Sequence, residues 1–125
     1  MTGVTISSSN FSFSVFRNCI FDRATIYGSF FDYAVFENCS FRDSEVSFSV
    51  FSGATMKSNS FQGSTMIRTS FMAIDSYDND FSSSDQYLSN FSLSKLILTS
   101  FDDCNLKKVN FRSTITRGVT FRYSN

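Results

Sequence analysis

Phenylalanine returns every ten residues through almost the whole chain, from Phe11, Phe21 and Phe31 to Phe101, Phe111 and Phe121. The half-steps between them are mostly apolar as well: Ile6, Phe16, Ile26, Phe36, Val46, Met56, Met66, Leu96 and Leu106. The underlying period is therefore five. Neither a helix, with a period near 3.6, nor a flat strand, with a period of 2, keeps every fifth residue on one face. An internal repeat of this kind decides the architecture before local propensities do.

Taking the large residue as the centre of each unit, the centres run from position 6 to 121 in steps of five, 24 units without insertion. Ser76, Gln86 and Thr116 are the polar exceptions. Two residues before each centre the side chain is usually small, as at Ser9, Ser14, Cys19, Ala24, Ser29, Ala34 and Cys39. Several units read small, then Asn or Asp, then large: Ser9-Asn10-Phe11, Ser84-Asp85-Gln86, Ser89-Asn90-Phe91 and Cys104-Asn105-Leu106.

Over residues 4–123 this pattern resembles the pentapeptide-repeat family, whose unit is Ala, Asp or Asn, Leu or Phe, then two variable residues. The resemblance implies an all-β fold, a right-handed, four-sided parallel β-helix with five residues per side and 20 per coil. Centres and small residues would point inward and the other three positions outward. Large and small side chains alternating around a narrow tube can fill it to close packing. Sorting the centres by 20 stacks Phe11, Phe31, Phe51, Phe71, Phe91 and Phe111 on one side and Phe21, Phe41, Phe61, Phe81, Phe101 and Phe121 on the opposite one. Rings about 5 Å apart are expected, the spacing of neighbouring strands, in one domain of about six coils over residues 1–125.

The composition excludes several classes. Eleven Lys and Arg balance eleven Asp and Glu, so no global bias toward nucleic acid exists, and direct nucleic-acid binding is not expected. Three Cys without metal spacing and no His leave no metal or cofactor motif. Cys19 and Cys39 lie one coil apart, where a disulfide is conceivable and free packed thiols are the expectation. No apolar run approaches a membrane span, and the N-terminus lacks the basic and apolar regions of a signal peptide. A cytoplasmic location is expected, with export by a specialised secretion system as the alternative. The tight acidic pairs Asp102-Asp103 and Asp78-Asn79-Asp80 lack a matched acid and base, so no enzyme is expected.

Outward positions carry the candidates for function. Stacked charges are expected at Arg17, Glu37 and Lys57, at Asp22 with Arg42, at Arg23 with Asp43, at Asp75 with Lys95, and at Asp102 with Arg122. Apolar residues recur outward at Tyr27, Phe48, Ile67, Tyr87 and Leu88, and again at Val15, Val35, Tyr77, Ile97 and Leu98. Such stripes suggest a contact surface. In residues 74–90 the repeat weakens: Ile74 and Asn79 fill small positions, Ser76 and Gln86 replace apolar centres, and Asp75, Asp78, Asp80 and Asp85 gather there. This stretch is either a tolerated polar coil or a recognition patch.

Three functional readings follow. The first is a non-catalytic, rigid interaction module for a protein partner, with Tyr27, Phe48, Ile67, Asp75, Tyr77, Asp78, Asp80, Asp85, Tyr87 and Leu88 as candidate contacts. The second rests on the resemblance, since some members of the family mimic duplex DNA and bind DNA gyrase or topoisomerase IV. Mimicry needs a long anionic surface, and only the four Asp above cluster in the sequence. The third is a secreted bacterial effector. A homodimer meeting end to end through the last coil would use Val109, Ile115, Val119, Phe121 and Tyr123.

Overall fold

A computed structural model describes residues 3–125. Its nine strands are three residues each: β1 (Thr5–Ser7), β2 (Val15–Arg17), β3 (Thr25–Tyr27), β4 (Val35–Glu37), β5 (Glu45–Ser47), β6 (Thr55–Lys57), β7 (Asp75–Tyr77), β8 (Lys95–Ile97) and β9 (Ile115–Arg117). All pairings are parallel and 20 residues apart, as in Ile6↔Ile26 and Phe36↔Met56. β1, β3 and β5 form one sheet, which single bridges extend from Glu45 through Thr65 and Asp85 to Asn105. β2, β4, β6, β7, β8 and β9 form the other. Bridges through Asn10, Phe30, Val50, Ser70, Asn90 and Asn110, and through Ile20, Ser40, Ser60, Asp80, Ser100 and Thr120, make the two remaining sides. The chain is thus a four-sided parallel solenoid of about six coils.

The burial pattern follows the five-residue unit. Ala24, Ile26, Ser29 and Phe31 are buried in succession, while Thr25, Tyr27 and Phe30 face out. The two Phe ladders form the core. Along one, Phe31–Phe51 and Phe71–Phe91 stack at 4.8 Å; along the other, Phe41–Phe61 stack at 4.6 Å and Phe61–Phe81 at 4.8 Å. The ladders meet edge to face across the tube, as at Phe81–Phe91, with rings 5.6 Å apart and 85° between planes. Both arrangements suit the ring quadrupole, and each fully buried ring contributes about 1.5–3 kcal/mol from burial alone.

The coil closes through a backbone feature that repeats without a gap. Every fifth residue from Gly3 to Tyr123 has a positive φ between 47° and 72°. The left-handed region turns the chain at each corner. All five glycines of the chain, Gly3, Gly28, Gly53, Gly63 and Gly118, occupy such corners, where the missing Cβ removes the strain. The other corners hold residues with side chains, among them Phe13, Tyr33, Phe48, Leu88, Leu93 and Leu98.

The weak stretch keeps its register. β7 pairs with β6 and β8, and Ser76 stands between Met56 and Leu96. Its polarity is absorbed by a buried column of side chains at the small positions. Asn59 Oδ1 accepts from the Cys39 N–H at 2.9 Å, and Asn79 Oδ1 accepts from the Asn59 N–H at 2.9 Å. Asn79 Nδ2 donates to the Met56 carbonyl and to Ser76 Oγ, which also meets Thr99 Oγ1 at 2.9 Å. Gln86 is fully buried, and its Nε2 donates to Ser84 Oγ at 3.0 Å. Its Oε1 has no partner among the described residues.

The charge pairs form only in part. Arg17 holds Glu37 at 3.0 Å and Arg122 holds Asp102 at 3.0 Å, the two ion pairs among the described residues. Asp22 turns instead to the Ser40 hydroxyl and the Arg42 backbone N–H, while the Arg42 guanidinium reaches Ser60 Oγ. A short carboxylate at a corner meets the neighbouring backbone before it meets a long cation. Cys19, Cys39 and Cys104 are free thiols.

Candidate functional site

Ten residues separate Tyr77 from Tyr87, and ten residues are half a coil. The candidate contacts therefore divide between opposite sides of the tube. Tyr27 lies in β3 and Phe48 at the corner beyond β5, with Ile67, Asp85, Tyr87 and Leu88 in the later coils of that side. Asp75 and Tyr77 belong to β7 on the other side, with Asp78 at its corner. Asp80 sits on a third side, in the bridge column with Ser60 and Ser100. The four aspartates gathered in the sequence are thus spread around one coil, and they form no continuous acidic face. Residues close together in a solenoid sequence wrap its circumference; residues 20 apart line its surface.

On the side of Tyr27 two cations stand near aromatic rings, while Tyr27 and Phe48 themselves remain 49% and 44% exposed. Tyr27 and Phe48 lean together with ring centroids 5.2 Å apart. Arg68 stands 5.8 Å over the Phe48 ring, and Lys108 stands 6.0 Å over Tyr87. Ile67, Tyr87 and Leu88, expected to be exposed, are half-buried. The long cation stems and apolar corners cover one another here.

On the side of Tyr77, the residues Tyr77, Ile97, Leu98 and Arg117 line a shallow, half-open cleft. Register places Lys57, Tyr77, Ile97 and Arg117 in one outward column. Leu98 and Gly118 occupy successive corners beside it. A Cβ built on Gly118 would stand 2.8 Å from Leu98 Cδ2, so the glycine leaves Leu98 the space it occupies. Leu98 is 51% and Tyr77 45% exposed. Arg117 carries no signal in the local sequence, because its column, visible only at a spacing of 20, begins with ordinary charges at Arg17 and Glu37.

The last coil presents Ile115, Phe121 and Tyr123 to solvent, while Val109 and Val119 pack against the core and are only partly accessible. Asp102, in the pair expected to be unfit for catalysis, is engaged by Arg122 at both its backbone N–H and its guanidinium. Desolvation pushes its carboxyl up, but the Arg122 backbone N–H, the Thr120 hydroxyl and the Arg122 guanidinium together outweigh this and hold it below the usual carboxylate range. Its neighbour Asp103 stands at a corner with φ 56°. Among the described residues no group of three or more His, Cys, Asp or Glu could hold a metal ion, and no helix is long and apolar enough to cross a membrane.

Residues 19–57 match the family model for pentapeptide repeats in eight copies. No curated protein matches the sequence. Among solved structures, a trypsin-treated variant of QnrB1, a plasmid-mediated fluoroquinolone resistance protein, superposes with a TM-score of 0.57 at 16% identity, over 98% of this chain and 70% of that one. Rfr23, a pentapeptide repeat protein from the cyanobacterium Cyanothece 51142, superposes with a TM-score of 0.51 at 13% identity, over 96% of this chain and 86% of that one. At these identities the likeness is one of fold.

Proposed function

We propose that this chain, whose residues 19–57 match pentapeptide repeats and whose fold is that of pentapeptide-repeat proteins, acts as a rigid, non-catalytic module that docks a protein partner on the side formed by β2, β4, β6, β7, β8 and β9. One observation carries the reading. Tyr77 and Leu98 flank a half-open cleft, and Leu98 does so from a left-handed corner, φ 50°, that a glycine would occupy without strain. A bulky apolar side chain there gains no core burial and bears both strain and exposure, as at the more exposed corners Phe13, Tyr33 and Leu93, and Leu98 does so beside the cleft. A partner that covers it supplies the missing gain. The ladder of parallel bridges behind it holds the surface in one shape, which lowers the ordering cost of binding.

The test uses variants on both sides. Tyr77→Ser with Leu98→Ser alters the cleft side, and Phe48→Ser with Leu88→Ser alters the side of Tyr27. Partner capture by the intact protein, followed by mass spectrometry, is expected to survive the second pair and vanish with the first. Capture that survives both pairs in folded variants sinks the assignment. The DNA-mimic reading, suggested by the family and by the fold shared with QnrB1, a fluoroquinolone resistance protein, is second. It calls for a run of carboxylates along one column, whereas the column of Asp78 reads Asn18, Asn38, Ser58, Asp78, Leu98, Gly118. Inhibition of gyrase supercoiling by near-stoichiometric protein would reverse that order.

A further inference from the structure

Building on the docking side just assigned, we propose that its cleft receives a peptide segment in which an apolar side chain is flanked by carboxylates. The column Lys57, Tyr77, Ile97, Arg117 places an apolar floor between two cations. Three register steps separate the cations, about 14 Å at the spacing of neighbouring strands. An extended peptide puts its first, third and fifth side chains on one face across about 13 Å. Its pattern is therefore acidic, variable, apolar, variable, acidic. The apolar residue enters between Tyr77 and Arg117 over Ile97 and Leu98.

Both cations are uncommitted. Glu37, the register neighbour of Lys57, is held by Arg17 on its far side. Neither Lys57 nor Arg117 makes an ion pair among the described residues. On the opposite side of the tube the cations lie over aromatic rings instead. Three other charges border the column. Lys95 stands in register with Asp75 in the strand row beside it, and the Asp78 carboxylate accepts from the Ser58 hydroxyl at 3.2 Å. The two aspartates flank Tyr77 and disfavour a pose that shifts the first carboxylate sideways off Lys57, as repulsive elements do in specific interfaces. Arg117 can meet a carboxylate in a two-pronged hydrogen bond, which sets orientation as well as attraction.

The probe is a fluorescein-labelled peptide, Gly-Glu-Thr-Leu-Thr-Glu-Gly, titrated with the intact protein and followed by anisotropy. Two controls replace both Glu by Lys, or the Leu by Ala. The acidic peptide is expected to bind at least tenfold more tightly than either control, with the preference over the lysine peptide shrinking as salt is raised. Arg117→Glu, on the exposed surface and verified as folded by circular dichroism, is expected to lower that affinity at least tenfold and to improve binding of the lysine peptide. Equal binding of all three peptides, or an unchanged preference in Arg117→Glu, overturns the proposal. If partner capture is still lost in the Tyr77→Ser, Leu98→Ser protein while the peptides show no preference, the docking side stands and only this partner chemistry falls. If capture is also indifferent to those changes, the docking side falls with it.

Discussion

Asn79 Nδ2 donates to Ser76 Oγ at 2.8 Å inside the tube. Each residue departs from the repeat, one too large for its position and one too small and polar. Together they restore both the volume and the hydrogen bonding of a regular unit. Asn79 also holds the Met56 carbonyl and the Asn59 backbone N–H. Buried polar networks of this kind are costly only when a member is missing.

Asn79→Ala is accordingly expected to destabilise the fold by about 3 kcal/mol, since it strands several buried donors and acceptors. Ser76→Ala should cost about 1 kcal/mol. The double variant should cost less than the sum, with a coupling of about 1 kcal/mol in chemical denaturation. Strict additivity would show that the two residues do not act together.

Gln86 makes the opposite case. Its buried Oε1 has no partner among the described residues, while the centres above and below it in its column are Met66 and Leu106. Gln86→Leu removes the orphaned oxygen and restores an apolar centre. A gain of about 1–2 kcal/mol is expected, seen as a rise of several degrees in Tm. A lower Tm would mean that the bond from Nε2 to Ser84 outweighs the orphan.

Glycine corners differ in what surrounds them. A Cβ on Gly53 would stand 2.5 Å from Tyr33 Cε1, whereas one on Gly28 meets nothing within 4 Å. Gly28→Ala should cost about 1 kcal/mol from the left-handed backbone alone. Gly53→Ala should cost more, about 2 kcal/mol, because the ring must also move. In a Tyr33→Ala background the excess should disappear. Equal costs for the two glycines in the intact protein would refute the contact.

Thiol reactivity should follow burial. Burial pushes the Cys39 and Cys104 thiols above their ordinary range by disfavouring the thiolate. Cys19 is only half-buried. Iodoacetamide at pH 8, read by peptide mass spectrometry, is expected to label Cys19 first and to spare the other two until denaturant is added. Labelling of all three at one rate in the folded protein would contradict this.

The core was legible because its physics is one-dimensional. A period of five, with small residues two before each centre, defines a tube, and a spacing of 20 stacks Phe61 on Phe81 at 4.8 Å. The corners are equally written in the sequence, in a subtler sign: all five glycines share one place in the unit, the residue two after the centre, as in Phe51-Ser52-Gly53. The surface was harder. Tyr77 and Tyr87 look adjacent along the chain and face opposite ways in space. The aspartates at 75, 78, 80 and 85 look like one patch and encircle a coil. Whether Lys108 lies over Tyr87, or Arg42 turns to Ser60 instead of Asp22, depends on rotamers of long side chains, which no periodicity encodes.

The left-handed corners also make the surface a dial. Because every unit of five ends in the same turn and Phe centres alternate with mixed ones, removing two units would leave core and corners matched and rotate all that follows by half a turn. Lys57 and Arg117, aligned in register through Tyr77 and Ile97, would then face opposite sides of the tube. Removing four units would shorten the rod and keep every later residue on its side. The interior reads length in tens, while any partner that lies along the rod reads it in twenties.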